Sequence, residues 1–139
     1  MAELTFSIPD DIYNKLQQLR NTAEYAPKMI DAEQDAVFPE VMRRLEPHSH
    51  NKQAKADAGA LKASMVKTKP KMDKSGRWRA KIKPSGYDKK GVSNNQKLLS
   101  LEYGTSKQLA TPVLRPARQA MANQAMEAAQ KVFNEAVSK

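Results

Sequence analysis

Ile12, Leu16 and Leu19 recur at helical spacing with polar residues between them, which predicts an amphipathic first helix. Ser7-Ile8-Pro9-Asp10 reads as its start. Ser7 serves as cap, Pro9 lies in the first turn, and Asp10 and Asp11 sit where the helix dipole favours negative charge. Asn21-Thr22-Ala23-Glu24 loosens this helix, and Pro27 opens a second one with Ile30, Val37, Val41 and Leu45 on one face. Pro39 lacks a backbone donor and crowds the preceding turn, so a kink or split is expected there. The second helix ends near Glu46-Pro47. Residues 48–58 are polar and without period, which reads as a mobile connection.

The period then changes from helical to two. Val66 and Thr68 alternate with Lys67, Lys69 and Lys71, and Trp78, Ala80 and Ile82 alternate with Arg77, Arg79, Lys81 and Lys83. With Asp73-Lys74-Ser75-Gly76 between them, the two runs predict a β-hairpin. One face buries Trp78, Ile82 and Val66; the other carries seven cations. Pro70 makes the first strand irregular or places it at a sheet edge. Pro84 to Gln96 contains Gly86, Gly91 and Asn94-Asn95 and reads as a long exposed loop. Leu98, Leu99 and Leu101 form a short strand or a helical turn, and periodicity alone leaves both open. From Pro116 a last helix runs to about Ser138, with Ala117, Met121, Ala125, Ala128, Val132 and Ala136 as its stripe. Its small alanines allow another helix to approach closely.

At 139 residues the chain fits one domain with a modest core. Aromatic residues are only 6%, so that core leans on alanine and methionine, and thin cores are often completed by a neighbouring subunit. The absence of cysteine excludes disulfides and thiolate metal sites. No secretory signal and no apolar run of membrane-spanning length are found, so a cytosolic product with no membrane association is expected. The net charge of +9 is unevenly placed: residues 1–51 carry −4, residues 52–90 carry +10 and residues 91–139 carry +3. An acidic end and a basic middle suit head-to-tail contacts between identical subunits as well as they suit nucleic acid.

Catalytic patterns do not emerge. The chain has no Gly-rich phosphate loop, no cysteine nucleophile and no Gly-x-Ser-x-Gly turn, and the helix dipole accounts for Asp10-Asp11. No enzyme activity and no cofactor are expected. His48 and His50 form a His-x-His in a polar loop, short of the three or four ligands a stable metal site needs, so no metal is expected either. The methionines fall mostly at helical or strand positions and read as adaptable packing.

Three short segments remain that patterning does not absorb. Ala58-Gly59-Ala60-Leu61-Lys62-Ala63-Ser64 leads into the hairpin. Glu102-Tyr103-Gly104-Thr105 places a glycine able to take a positive φ after a glutamate and an aromatic. Pro112-Val113-Leu114-Arg115-Pro116-Ala117 leads into the last helix, with Pro112 holding the approach extended and Pro116 suited to the first helical position. In their order these segments resemble the signature of a family of small tailed-phage morphogenesis proteins, the head–tail joining or tail-completion proteins, often called minor tail proteins. Ala58 stands where that family usually has threonine, and Val113 where it usually has phenylalanine.

The resemblance implies an α+β fold: a small antiparallel sheet with a basic hairpin, packed by N-terminal helices and a long C-terminal helix. A single domain over 1–139 would comprise a helical part (1–47), the hairpin (59–84) and the signature turn with the C-terminal helix (98–139). It also implies a virion structural protein that closes a ring in the neck, between portal connector and tail, after assembly in the host cytoplasm. Its partners would be copies of itself and other neck, connector and tail proteins. Gly59, Leu61, Glu102, Tyr103, Gly104, Thr105, Pro112, Leu114, Arg115 and Pro116 are the expected assembly residues. Glu102 and Arg115 would form an ion pair within or between subunits, since a guanidinium binds a carboxylate through two parallel bonds; alternatively Glu102 caps a helix and Arg115 is solvated. Lys67, Lys69, Lys71, Arg77, Arg79, Lys81 and Lys83 are the candidates for contact with passing DNA or with a partner, the alternative being a solvated sheet face kept charged against aggregation. The rival readings are a tail terminator or other minor tail protein and, from another class, a small basic nucleic-acid-binding module.

Overall fold

Ten elements follow one another: β1 (Leu4–Phe6), α1 (Asp10–Gln18), α2 (Thr22–Leu45), α3 (Ala60–Ser64), β2 (Met65–Lys67), β3 (Lys71–Met72), β4 (Trp78–Pro84), α4 (Asn94–Tyr103), α5 (Leu114–Ala120) and α6 (Ala122–Val137). The structure, a computed structural model, describes residues 3–18, 22–47, 60–87, 91–107 and 109–138. The fold is α+β with an antiparallel four-stranded sheet, as the family resemblance implies. The expected mobile connection at 48–58 and the His-x-His lie outside the described residues.

β4 is the centre of the sheet. β1 pairs along one edge, Leu4 opposite Ile82 and Phe6 opposite Ala80. β2 and β3 follow one another along the other edge, Met65 opposite Pro84 and Met72 opposite Trp78. The expected hairpin is present, and residues 68–70 interrupt its first strand where Pro70 was expected to disturb it. The turn closes on Asp73, whose Oδ1 accepts the N–H groups of Ser75 (2.9 Å) and Arg77 (3.1 Å), while Gly76 takes φ 85°.

Period two buries Ala80 and Ile82 as read, with Trp78 half-buried. Val66 departs from the expectation. Its register opposite Lys83 turns it to the outer face, where it is 38% exposed, and Met65 takes the core position instead. A shift of one residue in a strand exchanges its faces.

Helix boundaries differ in several places. α1 begins at Asp10, with the Pro9 carbonyl accepting the Tyr13 N–H at 2.9 Å, so Ser7 lies outside the helix and does not cap it. The chain is still leaving β1 there, with Ile8 buried in the core. α2 begins at Thr22, so Pro27 is inside it and does not open it; Pro39 does not split it. An internal proline costs a helix roughly 3 kcal/mol. Burial of Ile30, Val37, Val41 and Leu45, each worth about 1.5–3 kcal/mol, offsets that cost. Gln34 on the same helix is buried and donates from Nε2 to the Lys81 carbonyl at 3.1 Å, tying α2 to the sheet without an unpaired polar group.

The described parts of the stretch expected to be a long loop, residues 84–87 and 91–96, are taken up largely by regular elements. Pro84 is the buried last residue of β4, Tyr87 bridges to Ser93, and Asn94-Asn95 open α4. The Ser93 side chain caps that helix by accepting the Gln96 N–H at 3.4 Å, which decides Leu98, Leu99 and Leu101 for a helix. The last helix starts at Leu114, not Pro116, and is two helices that meet at Met121, where φ is −104° and ψ 10°. The break lets α5 touch β1 while α6 lies along α2. α6 therefore packs chiefly on α2, and of the two helices α5 is the one set against the sheet, at β1.

Candidate functional site

α4 ends where the sequence predicts a turn. Gly104 takes φ 76° and ψ 177°, a region closed to side chains with a Cβ, and its N–H donates to the Ser100 carbonyl at 2.9 Å. Before this turn the α4 stripe places Leu98, Leu101 and Glu102 in the interior. Glu102, a carboxylate 9% exposed, must find donors there.

It finds them across the loop. Oε1 of Glu102 accepts the Val113 N–H at 2.5 Å and also the Leu114 N–H. The first N–H groups of a helix have no acceptor within it and carry partial positive charge, so a carboxylate satisfies them and is itself stabilised. The Thr111 N–H adds a bond to the Leu101 carbonyl at 2.7 Å. Val113 and Leu114 are buried beneath this latch, so the connection from α4 to α5 is anchored at Gly104 and at Val113. Tyr103, Thr105 and Pro112 are exposed on it, and the Thr105 hydroxyl accepts the Lys107 N–H at 3.2 Å.

Within the subunit the expected Glu102–Arg115 pair is not formed. The carboxylate is spent on backbone donors, and Arg115 is exposed with no ion pair among the described residues. The two side chains instead line a cleft of about 200 Å³ together with Glu3, Tyr103 and Arg118. Pro116 is the third residue of α5, where its missing N–H still falls among the free donors of the first turn.

Gly59 lies outside the described residues. Leu61 on α3 is half-buried against the core, and Ser64 anchors the segment: its carbonyl accepts the Ser85 N–H at 3.0 Å and the Ser85 hydroxyl at 2.9 Å. α3 packs on α4, so the described parts of all three signature segments are contiguous through α4.

The seven cations do not share one face. Lys67 lies opposite Ile82, on the side facing α2, where its ammonium meets Asp35 at 2.6 Å and stands 5.3 Å from the Phe38 ring centre. Lys71, Arg79, Lys81 and Lys83 occupy the outer face by register. Arg77 pairs with Asp10 at the start of α1, Arg79 with Asp73 in the turn (2.8 Å) and Lys81 with Glu3 (3.0 Å). Lys69, Lys71 and Lys83 have no ion pair among the described residues. These partners follow from contacts remote in sequence, and no local signal marks them.

A second feature lay outside the sequence reading. Glu33, on α2, borders an open apolar groove of about 480 Å³ between α1, α2 and α6. Burial pushes its carboxyl up to about 7, with Arg118 pulling weakly the other way. Among the described residues no group of three His, Asp or Glu side chains is placed to hold a metal, and no helix is long and apolar enough to cross a membrane. Comparison with protein-family models, with curated proteins and with solved structures finds no match to this chain.

Proposed function

We propose that this chain is a structural subunit of a tailed phage or prophage neck, of the head–tail joining or tail-completion class, acting as a ring between portal connector and tail. The observation that carries the reading is the Glu102 latch, which joins the Glu-Tyr-Gly-Thr turn to the Pro-Val-Leu-Arg-Pro segment. Those are the segments on which the family resemblance rests, and the latch gives them a shared physical task. A loop anchored at both ends has less conformational entropy to lose on docking than a free one, which suits a subunit whose work is assembly. Other neck, connector and tail proteins would bind the surface that the ring presents, with DNA contact limited to passing genome.

The rival of another class, a basic nucleic-acid-binding module, is weakened by one observation. Four of the seven hairpin cations, Lys67, Arg77, Arg79 and Lys81, are already matched by the chain's own carboxylates. Deleting the gene from the genome that carries it, followed by electron microscopy of lysates, tests the proposal. Filled heads and finished tails that stay unjoined, with joining restored by the wild-type gene, are expected. Aberrant or missing tails would favour the tail-terminator rival, and normal joined particles would overturn the reading.

A further inference from the structure

We propose that Leu109 of one copy seats in the groove between α1, α2 and α6 of a second copy of this chain, a contact that rests on the ring-subunit reading above. Leu109 is 90% exposed on the loop that Gly104 and Glu102 hold at its two ends. An isolated exposed leucine needs no explanation, but this one stands on a loop whose two ends are anchored at Gly104 and Val113. Burying its side chain removes a large apolar surface from water, which favours the contact.

The groove supplies the matching surface. Phe6, Ile12 and Met29 make its apolar wall, and Met126 stands at its rim, 66% exposed. Ala122 and Ala125 on α6 are small enough to let a neighbour's backbone come close. Methionine at the rim can adapt to the shape of an incoming side chain.

Charge selects the occupant. Asp11 and Glu33 both border the groove, and Glu33 has no hydrogen bond or ion pair among the described residues; Arg118 is the one cation along the wall. Near Leu109 the loop carries Lys107, Arg115 follows at the start of α5, and residues 103–117 include no acidic residue. A basic loop with an apolar tip thus meets an apolar groove bordered by two carboxylates and one guanidinium, and both halves belong to this chain. Because the two surfaces differ, the contact is heterologous, and repeating it gives a ring wherever the rotation closes.

The chain has no cysteine, so introduced cysteines report proximity cleanly. Full-length Leu109→Cys and Met126→Cys proteins, both altered at exposed positions, are mixed under mild oxidation and also co-produced in cells making particles. The mixed disulfide is expected to exceed either like pair several-fold, and Leu109→Asp is expected to lose self-association while its thermal unfolding stays unchanged. Random pairing, a cross-link from residue 109 to a different particle protein, or no cross-link in either setting would overturn the contact. Unjoined heads and tails on gene deletion with no mixed disulfide would sink the contact and leave the neck reading standing. A mixed disulfide alongside normal joining without the gene would do the reverse.

Discussion

Glu102 Oε1 accepts the Val113 N–H at 2.5 Å, so a buried carboxylate near the end of α4 holds the start of α5 across a loop. Removing the side chain strands two buried donors, each costing about 1–3 kcal/mol. Glu102→Ala is therefore expected to lose about 2–4 kcal/mol of stability. Glu102→Gln keeps an acceptor oxygen without the charge and is expected to lose less. Denaturant unfolding with an unchanged slope would measure both; an alanine variant as stable as the parent would remove the latch from the account.

Gly104 ends α4 at φ 76° and ψ 177°, a combination reserved for glycine. Gly104→Ala is expected to cost about 1–3 kcal/mol. The same substitution should increase hydrogen exchange in residues 105–112, because the loop leaves the helix through this residue. Unaltered stability and exchange would mean that the turn tolerates a Cβ.

Salt dependence separates a neutralised hairpin from an open basic patch. Seven phosphate contacts would give a slope of log K against log salt of about −6, and three contacts about −3. With Lys67, Arg77, Arg79 and Lys81 paired internally, duplex DNA is expected to bind weakly, with a slope near the smaller figure. Fluorescence anisotropy across a salt series reads this directly. A slope near the larger figure would return the nucleic-acid module to first place.

The pH dependence of stability should carry the mark of Glu33. Its carboxyl is pushed from 4.5 up to about 7 by burial, against the weaker pull of Arg118. Between those values the unfolded chain has released the proton and the folded chain retains it. The folded state thus binds more protons, and stability falls as pH rises through the window. Glu33→Gln has no proton to release, so its urea midpoint is expected to fall less between pH 4.5 and 7 than that of the parent. Parallel profiles would place the carboxylate in water.

The fold was legible where side chains repeat with a clear period. The α2 stripe of Ile30, Val37, Val41 and Leu45 and the alternation of Ala80 and Ile82 both survive in the structure. β1 leaves no mark in the sequence because three residues, Leu4 to Phe6, are too few for alternation to stand out. Asn94-Asn95 suggested a loop, yet Ser93 supplies a cap and Leu98 and Leu101 a buried side, so tertiary packing outweighed local turn preference. At the candidate site, the Gly104 turn and the order of the signature segments could be read directly. For Glu102 the sequence left two roles open, an ion pair with Arg115 or a helix cap with Arg115 solvated; the folded geometry takes the second, at the Val113 and Leu114 N–H groups that begin α5. The acids that meet the hairpin cations come from β1, α1, α2 and the turn, which no local pattern connects.

Cryo-electron microscopy of particles produced by the genome that encodes this chain tests the proposed neck role most directly. The account predicts a closed ring of this subunit between portal connector and tail, with the Tyr103–Pro112 loop at the contact between neighbouring copies. Particles complete in the neck without this polypeptide, or a location elsewhere in the virion, would contradict it.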